Sequence, residues 1–185
     1  MLELALHVLD IAENSSRAKA SLIEITIGED LQRDVFSLEI RDNGQGMDKP
    51  TMEKALDPFY TTKKVRRIGL GLPMLKQATV LTSGNFSLTS EPGRGTVVRA
   101  EFQHSHIDRQ PLGDIAGVIA MLILGNPGID IVYTHRKNGG TYVLDTRELR
   151  EGLGDVPLNN MEVLNLIRDN IREGLEELDG AVHAP

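Results

Sequence analysis

Between Ser21 and Ile27 the chain alternates without a break: Leu22, Glu24 and Thr26 fall on one side, Ile23, Ile25 and Ile27 on the other. A period of two is the signature of a strand, because successive side chains point to opposite faces of a sheet. Val35 to Arg41 reads as a second strand, after a polar, turn-like spacer from Gly28 to Asp34. Ahead of both, Leu4, His7, Val8, Ile11 and Ala12 recur at steps of three and four, which predicts a helix over Leu2 to Ala18 with one apolar face.

The same reading continues down the chain. A short helix is expected from Thr51 to Leu56, then irregular chain from Asp57 to Gly71. A helix from Leu72 to Leu81 follows, with Pro73 in its first turn, where a missing N–H costs little. Asn85 to Ser90 and Thr96 to Phe102 are strands joined by the Glu91-Pro92-Gly93-Arg94-Gly95 turn. Beyond His104 come an apolar helix, Ile115 to Leu124, and strands Ile129 to Thr134 and Thr141 to Asp145 around Asn138-Gly139-Gly140, a hairpin signal. Asn159 is expected to cap a last amphipathic helix running to Leu178, with the tail frayed from Gly180. This order suits an α+β two-layer sandwich better than a doubly wound parallel sheet. It divides into a first domain over 1–105, a helix-hairpin-helix extension over 106–180 that packs on it or stands beside it, and a tail, 181–185.

Composition removes several functions. A chain of 185 residues, 40% apolar, can bury a core without staples, and it contains no cysteine, so disulfides, thiolate metal sites and thiol chemistry are excluded. That fits a reducing cytoplasm. A net charge of −7 argues against a nucleic-acid binder. The most apolar run, Ile115 to Leu124, is far shorter than the roughly 20 residues of a membrane span. The N-terminus lacks a basic region and carries Glu3, Asp10 and Glu13, unlike a signal peptide.

Four short blocks carry polar chemistry. On the first helix, Asp10, Asn14 and Arg17 share a face. An amide oxygen suits magnesium, a carboxylate one turn earlier could hold a water, and an arginine one turn later could touch a phosphate. A solvated polar face explains the block equally well. The second, Asp42-Asn43-Gly44-Gln45-Gly46-Met47, follows a strand; its carboxylate could accept from an exocyclic amine, with the glycines and Met47 against a flat ring, or it is an Asn-Gly turn. The third runs from Asp57-Pro58-Phe59-Tyr60-Thr61-Thr62-Lys63-Lys64 to Gly69-Leu70-Gly71-Leu72, glycine-rich backbone opening a helix, as a phosphate cradle requires. It is neither a dinucleotide fingerprint nor a Walker A loop. The fourth, Gly93-Arg94-Gly95-Thr96, is a hairpin turn that could bring the Thr96 hydroxyl near a ligand.

In their joint order these blocks resemble the boxes of the gyrase, chaperone, histidine-kinase and mismatch-repair (GHKL) superfamily over residues 4 to 103. The resemblance implies a Bergerat ATP-binding fold, a mixed sheet with helices on one face. It implies Mg2+ at Asn14, the adenine amino group at Asp42, an adenine side shaped by Gly44, Gly46, Met47 and Thr96, and phosphates near Arg17, Thr61, Thr62, Lys63, Gly69, Leu70, Gly71 and Leu72. It puts a short lid over Thr61 to Ile68. Hydrolysing members carry Glu four residues before the magnesium Asn; Asp10 stands there, so weak ATPase activity is expected rather than fast turnover. No phosphoacceptor histidine on a dimerisation helix pair is recognised. His7 reads as structural, His104-x-His106 lacks a third ligand, and His135 and His183 show no partner. The resemblance leaves open a nucleotide-dependent regulatory module or weak ATPase with a protein partner, a serine/threonine kinase of the anti-sigma-factor type, and a homodimer. The stretch Leu4 to Ser15 also looks like stand-alone ATP-binding proteins of iron-hydrogenase gene clusters, implying a redox-linked accessory role.

Overall fold

A computed structural model describes residues 3–57, 71–137 and 139–181. Helix α1 (Leu4–Arg17) leads into strands β1 (Leu22–Asp30) and β2 (Val35–Asp42). The short α2 (Lys49–Ala55) and α3 (Gly71–Leu81) precede β3 (Asn85–Glu91) and β4 (Gly95–Gln103). Then come α4 (Ile115–Gly125), β5 (Asp130–Lys137), β6 (Gly140–Asp145), α5 (Thr146–Leu153) and α6 (Met161–Ala181).

The strands form one mixed sheet in the order β3-β4-β2-β1-β5-β6. Every pairing is antiparallel except β1 with β5, which run parallel. Alternation sets the layers. Ile23, Ile25 and Ile27 of β1, Phe36, Leu38 and Ile40 of β2, Val98, Ala100 and Phe102 of β4, and Ile131 and Tyr133 of β5 are all buried. They join one core with Leu4, Val8 and Ile11 of α1, Leu75 of α3, Ile119 and Leu122 of α4 and Ile167 and Ile171 of α6. One-residue slips would turn each strand's apolar set to the open face, so the register is strongly specified. The architecture is the α+β two-layer sandwich that the order of elements implies.

The differences have local causes. β1 runs on to Asp30 because Gly28, Glu29 and Asp30 stay paired with Ser37, Phe36 and Val35, which confines the turn to 31–34. α2 begins at Lys49 because the Asp48 carboxylate accepts from the Thr51 N–H. α6 is capped one residue later than expected: Asn160, not Asn159, accepts from the N–H of Glu162 and Val163. It continues through Gly180 to Ala181, and the remainder of the expected tail, 182–185, lies outside the described residues. α5 was not anticipated; it starts from Asp145, whose side chain accepts from the Arg147 N–H.

Residues after 106 continue the same fold. β5 adds to the β1 edge, with Ile23 opposite Ile131 and Ile27 opposite His135. α4 lies against α1: Leu4 and Ala5 donate to the carbonyls of Pro111 and Leu112, and the Ser16 Oγ bonds the Asn126 side chain at 2.5 Å.

Candidate functional site

The strand ends and the C-terminal turns of α1 meet at one rim of the sheet. Asp42, the last residue of β2, is 8% exposed. Its Oδ2 accepts from Ser15 Oγ at 2.7 Å and its Oδ1 from the Gly44 N–H at 2.9 Å. Each carboxylate oxygen has two lone pairs, so both keep capacity for another donor. Ser15 follows Asn14 directly in α1, and adjacent Cα atoms lie about 3.8 Å apart. The residue next to Asn14 thus touches a carboxylate that stands 28 positions from that amide in sequence.

The loop after Asp42 is clamped on both sides. Gln45 donates to the carbonyl of Ala18 at 2.8 Å, and Gly93 donates to the carbonyl of Gln45 at 2.7 Å. Gly46 has φ +66, and a Cβ there would lie 1.9 Å from the Glu91 carbonyl oxygen. No other residue fits so close an approach to backbone. A Cβ on Gly44 would meet the Ala18 carbonyl at 2.8 Å. The space these glycines provide is occupied by the chain itself, which fixes the loop beside Asp42. Met47, half-buried, gives its N–H to Ser90 Oγ at 2.8 Å.

Thr96 stands opposite Asp42 in the β2–β4 ladder and opposite Ser90 in the β3–β4 ladder. Residues directly opposite in a ladder point to the same face. Asp42, Thr96 and Ser90 thus form a polar row on the helix-covered side, at the end of the sheet. A groove of about 290 Å3 opens around these strand ends, lined by Asp42, Ser90 and Thr96 and also by Leu22, Glu24 and Arg41. Much of that lining belongs to the helix-free face, so the groove wraps the rim of the sheet rather than lying beneath α1.

On α1 the other residues of the first block are close at hand. Asp10 is half-buried against the start of α3: a Cβ on Gly71 would come within 2.0 Å of Asp10 Oδ2. This brings the N-terminus of α3, whose first N–H groups have no partner within the helix, to the face that carries Asn14. Leu72 is partly buried against the core. Asn14 Oδ1 accepts from Arg17 Nη1 at 2.7 Å, while Arg17 Nη2 pairs with Glu13 at 2.8 Å. The amide oxygen thus already faces a cation. Thr61, Thr62, Lys63, Gly69 and Leu70, with the whole Thr61 to Ile68 segment, lie outside the described residues.

Asn14 fits a magnesium site. That ion takes one or two protein oxygens and completes its shell with phosphates and water. Among the described residues no group of three or more His, Cys, Asp or Glu is placed to hold a metal by itself. His7 is fully buried; its Nε2 hydrogen-bonds Gln110 at 3.1 Å, and burial lowers its pKa. Two groups escaped the sequence reading. Ser15 supports Asp42, and Ser90 holds Met47 and Thr96. Ser15 stood inside the first block, whereas Ser90 looks like any polar strand position.

Comparison with known proteins places this two-layer sandwich. The profile of the histidine kinase-, DNA gyrase B- and HSP90-like ATPases matches residues 2–106, more than half of the chain. The chain belongs to this family, and membership carries ATP binding with it. The sensor histidine kinase YxdK of Bacillus subtilis (strain 168) is 32% identical over 100 residues, covering 52% of this chain and 30% of that protein. The cell-division control histidine kinase PdhS of Brucella abortus (strain S19) is 30% identical over 114 residues, covering 54% of this chain and 11% of that protein. The chain thus matches less than a third of either relative's length. The N-terminal domain of a DNA repair protein shares the fold, with a TM-score of 0.55 at 18% identity over 78% of this chain and 53% of that one. No helix among the described residues is long and apolar enough to cross a membrane.

Proposed function

We propose that the chain is a Mg-ATP-binding regulatory module in which the nucleotide helix α1 reports to the segment after residue 106. The observation that carries this reading is the double attachment of α1. Ser15 holds Asp42 at 2.7 Å, and the next residue, Ser16, holds Asn126 at the end of α4 at 2.5 Å. A shift of α1 on nucleotide binding is passed to the end of α4 by the Ser16 side chain as well as by packing.

In this reading Asp42 accepts from the adenine amino group with the capacity that Ser15 and Gly44 leave free. Asn14 turns its oxygen from Arg17 to magnesium, which when bound neutralises phosphate charge. Arg17, released from Asn14, stays on Glu13 or moves to a phosphate. The N-terminus of α3, with Gly69 and Gly71, faces the phosphates, and Thr61 to Lys63 belong to a lid. Asp10 is the candidate base, but its carboxylate is packed against Gly71, which favours slow hydrolysis over rapid turnover. Partners of a serine/threonine-kinase or redox-accessory kind are outcomes of the tests rather than parts of this reading.

Calorimetric titration with Mg-ATP tests the site. Losing a charge-assisted hydrogen bond costs about 1.5–3 kcal/mol, so Asp42→Asn should weaken binding roughly tenfold or more. Asn14→Ala should abolish the magnesium dependence of the affinity. Wild-type behaviour of both variants would remove the assignment. Hydrogen exchange with a non-hydrolysable analogue tests the coupling: α4 and β5 should gain protection, and unchanged exchange there would leave only an isolated ATP domain. Incubation with labelled ATP and candidate partner proteins should leave them unlabelled; label on a partner Ser or Thr would favour the kinase.

A further inference from the structure

Ser90 Oγ touches three polar groups: the Met47 N–H at 2.8 Å, the Gly95 carbonyl at 2.9 Å and Thr96 Oγ1 at 2.9 Å. A hydroxyl has one proton and two lone pairs. An N–H can only donate and a carbonyl can only accept. The Ser90 proton therefore goes to Gly95, one lone pair takes Met47, and the other takes the proton of Thr96. In the reverse arrangement Gly95 O and Ser90 Oγ would face each other at 2.9 Å with no proton between them. Thr96 is left with lone pairs alone. Its cross-strand neighbour Asp42 accepts on both oxygens, from Ser15 and from Gly44. The two side chains at the end of β2 and the start of β4 are both acceptors.

We propose that Ser90 is a positioning residue for base selection. By holding the proton of Thr96 it leaves Thr96, like Asp42, without a proton to offer the base, so that a purine with a 6-amino group is preferred to one with a 6-oxo group. The inference rests on the reading of Asp42 as the base-recognition residue. An amino group at position 6 offers protons to Asp42 and to the lone pairs of Thr96. An oxo group in the same place meets lone pairs on both and finds a donor on neither. The preference thus depends on a residue two strands away from Asp42, through the direction of a single proton.

The test is equilibrium binding of Mg-ATP and Mg-ITP to the full chain. In Ser90→Ala the Thr96 proton is released and can turn to the base. The ratio of ATP to ITP affinity should fall about five- to tenfold, the weight of one hydrogen bond and its mismatch, mainly through tighter ITP binding. Ser90→Thr, which keeps the hydroxyl, should restore the wild-type ratio; a merely structural role for Ser90 would not separate the two nucleotides. Thr96→Val keeps the β-branched shape and leaves Met47 and Gly95 on Ser90, while deleting the opposing lone pairs. It should lower the ratio too, so the proposal stays testable where Ser90→Ala folds poorly. An unchanged ratio in both Ser90→Ala and Thr96→Val, with Asp42→Asn still weakening ATP, would overturn the role of Ser90 alone. Unchanged ATP binding in Asp42→Asn would overturn the site and this inference together.

Discussion

The two ends of the sheet carry two polar clusters built on opposite plans. At the α1 rim, Asp42 holds one donor on each oxygen and has room for more. At the other end, Glu29 is enclosed by three partners, one on Oε1 and two on Oε2. His135 Nε2 approaches its Oε1 at 2.9 Å, His104 Nε2 its Oε2 at 3.0 Å, and the Lys137 ammonium lies 3.5 Å from the same oxygen. Both ring nitrogens of His135 are taken, since the hydroxyl of buried Tyr133 reaches its Nδ1 at 2.8 Å. Burial raises the pKa of Tyr133, so its proton stays available for that bond. Lys137 goes on to Asp179 of α6 at 2.5 Å. Enclosed polar groups with partners on several sides tie elements together, here β1, the chain after β4, β5 and α6. Groups with spare valence at a rim are where a ligand can add bonds without breaking any. The same chemical types thus fasten the extension at one end and leave open valence, the candidate site, at the other.

Removing the centre of the closed cluster should have the largest effect. Glu29→Ala leaves the His135 and His104 N–H groups and the Lys137 ammonium facing an empty place. Breaking one side of a buried charged cluster costs on the order of 3–5 kcal/mol. Denaturant unfolding should show this loss, while ATP affinity of the folded protein stays within about twofold of wild type, since distant sites behave independently. A large loss of affinity would mean that the two ends are coupled, and the contrast between them would fail.

Acid should attack the same end nearly as strongly. Burial pushes the Glu29 carboxyl up, but hydrogen bonds from His135 and His104 and the charge of Lys137 outweigh it and hold the group at about 2, below the ordinary 4.5. A carboxyl depressed on folding stabilises the native state above its unfolded pKa and loses that contribution as pH falls through the folded one. About 3 kcal/mol should therefore disappear between pH 4.5 and 2. The lowered pKa of His7 acts in the same direction from a higher pH, because the unfolded chain takes up that proton first. Stability curves of wild type and Glu29→Ala should converge toward pH 2; parallel curves would show that Glu29 carries no such linkage.

These two ends also differ in what the sequence discloses. The isoleucines of β1 announce its inner face by alternation, and Asp42, Gly46 and Thr96 stand in a local pattern that survives without coordinates. The closed cluster has no local trace. His135 reads as partnerless because its carboxylate comes from Glu29, brought beside β5 only by parallel pairing of strands far apart in sequence. The Asn160 cap is displaced by one from its asparagine neighbour, a difference composition cannot settle. α5 stayed hidden because only Leu149 and Leu153 of its eight residues are apolar, both partly buried against the core. Ser90 fits the polar alternation of β3, and only the ladder reveals that it meets Thr96.

The smallest effect sharpens the comparison at the open end. Ser15→Ala removes one of the two donors on Asp42 and no packing of consequence, since Ser15 is small and its other contact is a 3.3 Å bond to the Ile11 carbonyl of its own helix. The cost in folding stability should be about 1 kcal/mol, the ordinary weight of one hydrogen bond, well short of that of Glu29→Ala. ATP affinity should fall by less than about tenfold, because the carboxylate loses its tether to α1 but keeps its charge and the Gly44 N–H. The informative measurement is the pair of numbers. At the closed end a substitution should move stability and leave binding alone; at the open end this one should move both by similar small amounts. If Ser15→Ala instead left affinity untouched while unfolding shifted, the serine would be a strut like those around Glu29, and the link from α1 to the base end of the site would have to run through the Gln45–Ala18 backbone bond.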